Sequence, residues 1–486
     1  MLSTLSKMSV WQLLSSSRTQ TLAPLKIIYL VLSCLSLVYL FVSVLVTQAP
    51  VLDNIWLTKS LYADISSETT ISHIVFGIAS ASKSWANRKE YVRLWWKPEQ
   101  MRGCVFVEAM PLQNDTSLPP LRVSEDTSRF KYSFRGGDRS AIRVARVLLE
   151  TVNLNHSNVG WFVFGDDDTV FFTDNLVKTL SKYDHKLWYY IGSISETFVQ
   201  NDNDLSSFEM AYGGGGFAVS YSLAKVLAKV LDSCLDRYPH LYGSDARIYS
   251  CLAELGVALT HEVGFHQVDL RGNLFGLLAS HPLAPLISLH HLDKADPIFP
   301  KKTRHQAIGH LLKAATLDPH RVVQQSICYD KLFSRTISVS WGHAVQIFEG
   351  SVLVRDLLQV RNTFKLWRKE INMSNTDLYM FNTRKVDSDP CKRPTIFFLD
   401  SLSTDDPPVI KSVYKSNGIG NCLAKKDLTK KLDEIRVFTH KLDLRIKQLE
   451  APRRQCCDVL PSSAADKVLD INIRECGEDE LAYMHP

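Results

Sequence analysis

Three aspartates stand side by side at Asp166, Asp167 and Asp168, inside the run WFVFGDDDTVFF from Trp161 to Phe172. Trp161–Phe164 is apolar enough for a central strand, and Gly165 permits a sharp exit from it. The carboxylates therefore sit at the carboxyl end of that strand, where open α/β sheets bind their ligands. Packed so closely, they repel one another unless water or a cation screens them. Hard oxygen donors suit Mn2+ or Mg2+, and such an ion bridges phosphate oxygens. Held by Asp166 and Asp168, it would clamp a nucleotide diphosphate and stabilise its charge on departure. A solvated acidic turn is the plain alternative, and the apolar residues on both sides, including Val170–Phe172, argue against it.

Further along, MAYGGGGFAVS spans Met210 to Ser220. A glycine run usually marks a linker, but Tyr212 and Phe217-Ala218-Val219 bracket this one and a helical pattern follows. Glycines let a backbone approach a ligand closely. Tyr212, Gly213, Gly214, Gly215 and Gly216 are thus candidates for the wall of a sugar or nucleotide site. Asp245 opens a helix after the turn Gly243-Ser244. At that position it reads as an N-cap, or as a carboxylate able to take a proton from an acceptor hydroxyl. PLISLHHLD then ends a strand-like run with His290 and His291. Two neighbouring histidines on a strand face opposite sides, so either could complete a metal site begun by a carboxylate.

Elements able to position these groups follow from periodicity. SHIVFGIA (Ser72–Ala79) and Gly103–Ala109 read as strands. Between them, WANRKEYVRLWW places Trp85, Tyr91, Leu94 and Trp95 at helical spacing, with Arg88 and Arg93 among them as possible nucleotide contacts. Ser128–Glu150 turns at Gly136-Gly137 and becomes an amphipathic helix before the Trp161 strand. Strand, helix, strand, helix, strand is the pattern of an α/β layer fold with a largely parallel sheet. From about residue 306 the pattern changes. TISVSWG, AVQIFEG, TIFFLDS, IRVFTHKLD and VLDINIREC look like strands with little helix between them, although Lys425–Lys447 could contain one. Residues 306–486 are therefore expected to form a separate β-rich module.

The chain has 486 residues, 45% of them apolar, so a packed core is possible. A net charge of +5 argues against a dedicated nucleic-acid binder. Charge is unevenly placed, with none from Ile27 to Leu52. The apolar heart, Ile27–Thr47, meets the roughly 20 residues a bilayer-spanning helix needs. Lys7, Arg18 and Lys26 precede it without an acid, so residues 1–26 are expected in the cytosol and later ones in a lumen. Residues 48–70 read as a stem. In a lumen, Asn114, Asn155 and Asn372 are glycosylation acceptors. Of 10 Cys, nine lie beyond the span, an odd number that leaves at least one thiol free or intermolecular. No CxxC pair is present to suggest zinc.

Taken in order, WANRKEYVRLWW, SRFKYSFRGGDRSAIRVARVLLE, WFVFGDDDTVFF, MAYGGGGFAVS, YGSDARI, GFHQ and SLHHLD resemble the Fringe-related inverting β1,3-glycosyltransferases over residues 72–300. QQSICYD, VSWGHAVQI, MFNTRKV and RRQCCDVLP extend the likeness to a plant group of Fringe-like proteins. The resemblance implies a GT-A nucleotide-sugar-binding α/β sandwich at 71–305, on a single-pass type II signal anchor (27–47) in the Golgi membrane. It implies Mn2+ or Mg2+, a UDP-sugar donor and a glycan or glycoprotein acceptor. Asp166-Asp167-Asp168 matches the DxD metal and nucleotide motif, with Asp168 the first choice of direct ligand. His290 or His291 takes the place of the metal-ligating histidine, and Asp245 that of the base. One departure stands out: Fringe proteins carry two adjacent aspartates at the base motif, and here the pair is Asp245-Ala246. An active transferase and a catalytically silent lectin or scaffold both remain open on that account. A hydrolase would need a second metal site, for which ligands near Asp166–Asp168 are too few.

Overall fold

Alternation along the strands explains how both faces of the main sheet are buried. On β1 (Ile74–Ala79), Ile74, Phe76 and Ile78 join one apolar cluster, and Val75 and Ala79 join another. The same split recurs on β4 (Trp161–Asp166), with Trp161 and Val163 on one side and Phe162 and Phe164 on the other. The other strands are β2 (Arg102–Val107), β3 (Leu121–Val123), β5 (Tyr190–Gly192), β6 (Phe217–Ser220) and β7 (Leu259–His261). Their order across the sheet is β3-β2-β1-β4-β6-β5-β7. Only β6 runs antiparallel to its neighbours, which gives the mixed α/β architecture with a largely parallel sheet. Helix α1 (Ser82–Trp95) buries Trp85, Tyr91, Val92 and Trp95 on the first face. Helices α2 (Ser140–Val152), α3 (Tyr221–Leu235) and α4 (Ser244–Glu254) cover the second.

The computed structural model describes residues 28–43, 69–111, 115–202, 205–367, 378–406, 409–416, 432–461 and 467–481. The chain divides into two units, Met1–Ser67 and Glu68–Pro486. In the first, residues 28–43 are helical. Among the described residues no helix is long and apolar enough to cross a membrane. The ends of the span expected at 27–47 lie outside them, as do Asn114, Asn372 and Cys422. Asn155 is exposed, with a left-handed backbone just beyond α2.

Residues beyond 306 contribute an eight-stranded sheet. Its order is Gln325–Asp330, Arg335–Ser340, Ala344–Glu349, Thr395–Asp406, Val409–Ser416, Glu434–His440, Val468–Arg474 and Cys456–Val459. One pairing in it is parallel, between Glu434–His440 and Val468–Arg474. Within Lys425–Lys447 the described part is the strand Glu434–His440, and a short helix begins only at Ile446. The α1-side core continues from Phe76 and Trp95 through Leu311 to Trp341, Phe397 and Ile435 of this sheet. The boundary expected at 305/306 thus falls inside one apolar core. Disulfides join Cys234 to Cys251, Cys328 to Cys457 and Cys456 to Cys476, and Cys391 is also disulfide-bonded. Cys104 is a free, buried thiol, in keeping with the odd count.

Candidate metal and nucleotide site

Strand β4 delivers Asp166 as its last residue, in register with Ala79 of β1. The chain turns through Asp167 and Asp168 and re-enters a small sheet at Val170–Phe171. That strand pairs with Ser288–Leu289, Leu289 opposite Val170, so His290 emerges beside the aspartate turn. His290 Nε2 lies 3.1 Å from Asp168 Oδ1 and 3.7 Å from Asp166 Oδ2. One ligand atom from each of Asp166, Asp168 and His290 falls within 4.8 Å of the others. The Gln267 carbonyl lies 3.2 Å from His290 Nδ1. A carbonyl can only accept, so Nδ1 donates and Nε2 is the ring atom that faces the carboxylates.

Charge at this point is unbalanced in a way that a cation would answer. Asp168 is 0% exposed, and neither of its carboxylate oxygens has a hydrogen-bond partner. Arg88 Nη1 stands 3.3 Å from Oδ1. Burial would raise the Asp168 carboxyl, but His290 and Arg88 hold it below the usual range. Burial would likewise lower the His290 imidazole, yet Asp168 and Asp166 bring it up to about 9. The Asp166 side chain is 38% exposed. Its recessed position, then Asp168, Asp245 and Asp167, push its carboxyl up to about 7 against the pull of His290. Two carboxylates and an imidazole so arranged could hold a divalent metal.

The glycine loop is locked to this cluster. Thr169 Oγ1 accepts from Asp166 N (2.8 Å) and donates to Gly214 O (2.7 Å). Gly215 N donates to Gln267 Oε1 at 2.6 Å, and the Ser288 hydroxyl donates to Gly215 O. A Cβ on Gly214 would lie 2.6 Å from His290 Nε2, and one on Gly213 would lie 2.6 Å from Asp245 Oδ1. Absence of side chains, rather than flexibility, is what these positions require.

Asp245 and Asp166 line one small recess with Gly213. Asp245 is not the N-cap of α4. That position is Gly243, and no side chain caps it. The offset leaves the Asp245 carboxylate to accept from the Ser244 hydroxyl (3.0 Å) and the Gly213 N–H. Burial raises its pKa above the ordinary range.

Other expected site residues are placed differently. Asp167 turns from the cluster and accepts from Ser80 (2.7 Å), Ser84 (2.9 Å) and Arg88 (3.1 Å), fixing the start of α1 to β4. Arg88 is engaged with Asp167, Asp168 and Asp293. Tyr212 donates its hydroxyl to the Gln200 carbonyl. His291 stands outside the Asp166–Asp168–His290 group. It lies 3.2 Å from Asp269 Oδ1 and is sandwiched between the His290 and Trp367 rings, at 3.8 and 4.1 Å. Thr169, Gln267, Ser80, Ser84 and Trp367 were not marked by sequence. Gln267 stood within the GFHQ segment, a signal without an assigned role. The other four carry no local signal.

Residues 202–457, more than half of the chain, match the family described as "Protein of unknown function, DUF604". The chain belongs to this family. The DUF604 match takes in the glycine loop, Asp245, Gln267, His290 and Trp367, and begins after Asp166–Asp168. Among curated proteins none matches the chain. A similar solved structure is that of mouse xyloside xylosyltransferase 1, apo form, at 8% identity and TM-score 0.25, covering 37% of this chain and 81% of that one. At that score the likeness carries no functional weight.

For this DUF604 chain the glycine loop gives a direct test. Gly214→Ala must displace His290 or the loop, an overpacking cost of about 1–3 kcal/mol. Calorimetric Mn2+ titration is expected to show at least about tenfold weaker binding than wild type. Unchanged binding would overturn the coupling of the glycine loop to the metal site.

Proposed function

We propose that the chain is a metal-dependent glycosyltransferase that moves a sugar from a UDP-sugar to a glycan or glycoprotein hydroxyl with inversion. The uncharged run Ile27–Leu52 supports a single-pass Golgi anchor with the remainder lumenal. The observation that carries the reading is the convergence of Asp166, Asp168 and His290 beside a loop of glycines that also touches Asp245.

Asp166, Asp168 and His290 would hold the ion, which when bound supplies positive charge to a departing diphosphate. Arg88 neutralises part of the acidic cluster and keeps Asp168 ionised. Asp245 Oδ takes the proton of the acceptor hydroxyl as that oxygen attacks the anomeric carbon from the face opposite UDP. A raised carboxyl pKa makes Asp245 a stronger base than an ordinary aspartate. Ala246 is 5% exposed and belongs to the buried face of α4, while Asp245 borders the Asp166 recess. That favours the first position of the pair as the base, and with it the active reading over a silent lectin.

The test is UDP release from a panel of UDP-sugars with Mn2+, with and without acceptors. Acceptor-stimulated release from at least one donor is expected. UDP binding without release from any donor would leave the silent reading standing.

A further inference from the structure

A second cavity, of about 270 Å3, shares no lining residue with the Asp166–Asp245 recess. It forms where the loop after Pro282, the strand Gln325–Asp330 and residues 442–455 meet. Leu283, Leu444 and Leu449 give it apolar walls, and Gln324, Gln448 and Arg454 give it polar ones.

Arg454 is the informative group. Its guanidinium makes one hydrogen bond, from Nη1 to the Gln325 carbonyl at 3.2 Å. Among the described residues it has no ion pair, and burial weakens its hold on the proton with no acid to offset the loss. Neighbouring Arg453, by contrast, donates to the Glu480 carbonyl at 2.8 Å. Glu475 also lines the cavity but makes no ion pair with Arg454, so this partly buried cation is left without a paired counter-charge, which is costly unless something else brings one. A guanidinium fork matches a carboxylate bidentately. Gln324 uses its amide nitrogen on Ala284 O (2.6 Å), leaving its oxygen as an acceptor. Gln448 uses its oxygen on Arg445 N (2.8 Å), leaving its NH2 as a donor. An acceptor and a donor together suit hydroxyl groups, and leucines suit the C–H face of a ring. The volume lies just below the roughly 300–1,000 Å3 of small-molecule sites, which suits about one sugar ring. The Cys456–Cys476 disulfide closes the wall next to Arg454 and holds it in place.

We propose that this cavity is a second saccharide site that takes a uronate residue, with its carboxylate on Arg454 and its hydroxyls on Gln324 and Gln448. The assignment goes beyond the transferase reading and does not depend on it.

The experiment titrates the full-length protein with glucuronate and galacturonate oligosaccharides and with their neutral counterparts, by calorimetry. At least one uronate series is expected to bind, with the neutral counterpart about 10–100-fold weaker. Arg454→Gln is expected to lose a similar factor while Mn2+ binding is unchanged. Asp168→Ala should leave uronate binding intact, which separates failure of this site from failure of the metal site. If Arg454→Gln does not fold, Leu449→Trp fills the cavity and should abolish binding. Equal binding of neutral sugars, unchanged binding in Arg454→Gln, or equal competition by inorganic phosphate or sulfate would overturn the proposal.

Discussion

Asp168→Ala is expected to remove Mn2+-supported UDP binding, with a loss of metal affinity of at least about 100-fold. The wild-type carboxylate is fully buried, and neither oxygen has a hydrogen-bond partner. Its removal takes away the close contacts to His290 Nε2 (3.1 Å) and Arg88 Nη1 (3.3 Å). Arg88 keeps Asp167 and Asp293 as partners. Arg88 and His290 each lose their strongest counter-charge, and the His290 imidazole returns toward the ordinary range. In chelator the variant should melt lower than wild type, because Arg88 and His290 lose the buried carboxylate that pairs with them. With Mn2+ the wild type should melt higher, since a ligand that binds only the folded state stabilises it. The variant should show no such rise. Calorimetric titration and thermal scans with and without Mn2+ check both halves. Retained Mn2+-dependent UDP binding in the variant would sink the assignment of the ion to this cluster.

Asp245→Asn should have the opposite signature. UDP and Mn2+ still bind, and turnover falls by about 10²–10⁴-fold, the scale of a lost general base. The amide keeps the shape and can still accept from Ser244 and the Gly213 N–H, so the recess survives. The pH profile adds a second readout. Burial raises the Asp245 carboxyl, so below that raised pKa it is protonated and cannot accept a proton. The rate of the wild type should therefore fall as pH drops, and at a higher pH than an ordinary aspartate would give. The variant should lose that acid limb. Full turnover in Asp245→Asn would show that the base lies elsewhere.

What could be read from the sequence was what is local. β1, α1, β2, α2 and β4 announce themselves because each carries an apolar face at its own period, and the aspartates are legible because apolar residues bracket them. Roles that depend on distant chain segments were hidden. Asp167 looks identical to its neighbours in sequence, yet it faces Ser80 and Ser84 because the turn points it toward α1. The choice between His290 and His291 is decided by pairing of Ser288–Leu289 with Val170–Phe171, some 120 residues away in the chain. Asp245 misreads as a cap because a shift of one residue at a helix start reverses what a side chain can reach. The shared core between the two sheets, and Trp367 stacked on His291, have no local signature at all.

The bond between Cys328 and Cys457 closes a covalent ring that holds most of the second sheet. Inside that ring, backbone continuity is no longer what keeps the chain in one piece. A single cut by a protease between Tyr329 and Cys456 would open a loop but release nothing, and the Gln325–Asp330 and Cys456–Val459 strands would stay tethered by sulfur. Connectivity of this part of the molecule is thereby made a property of the redox state of its compartment.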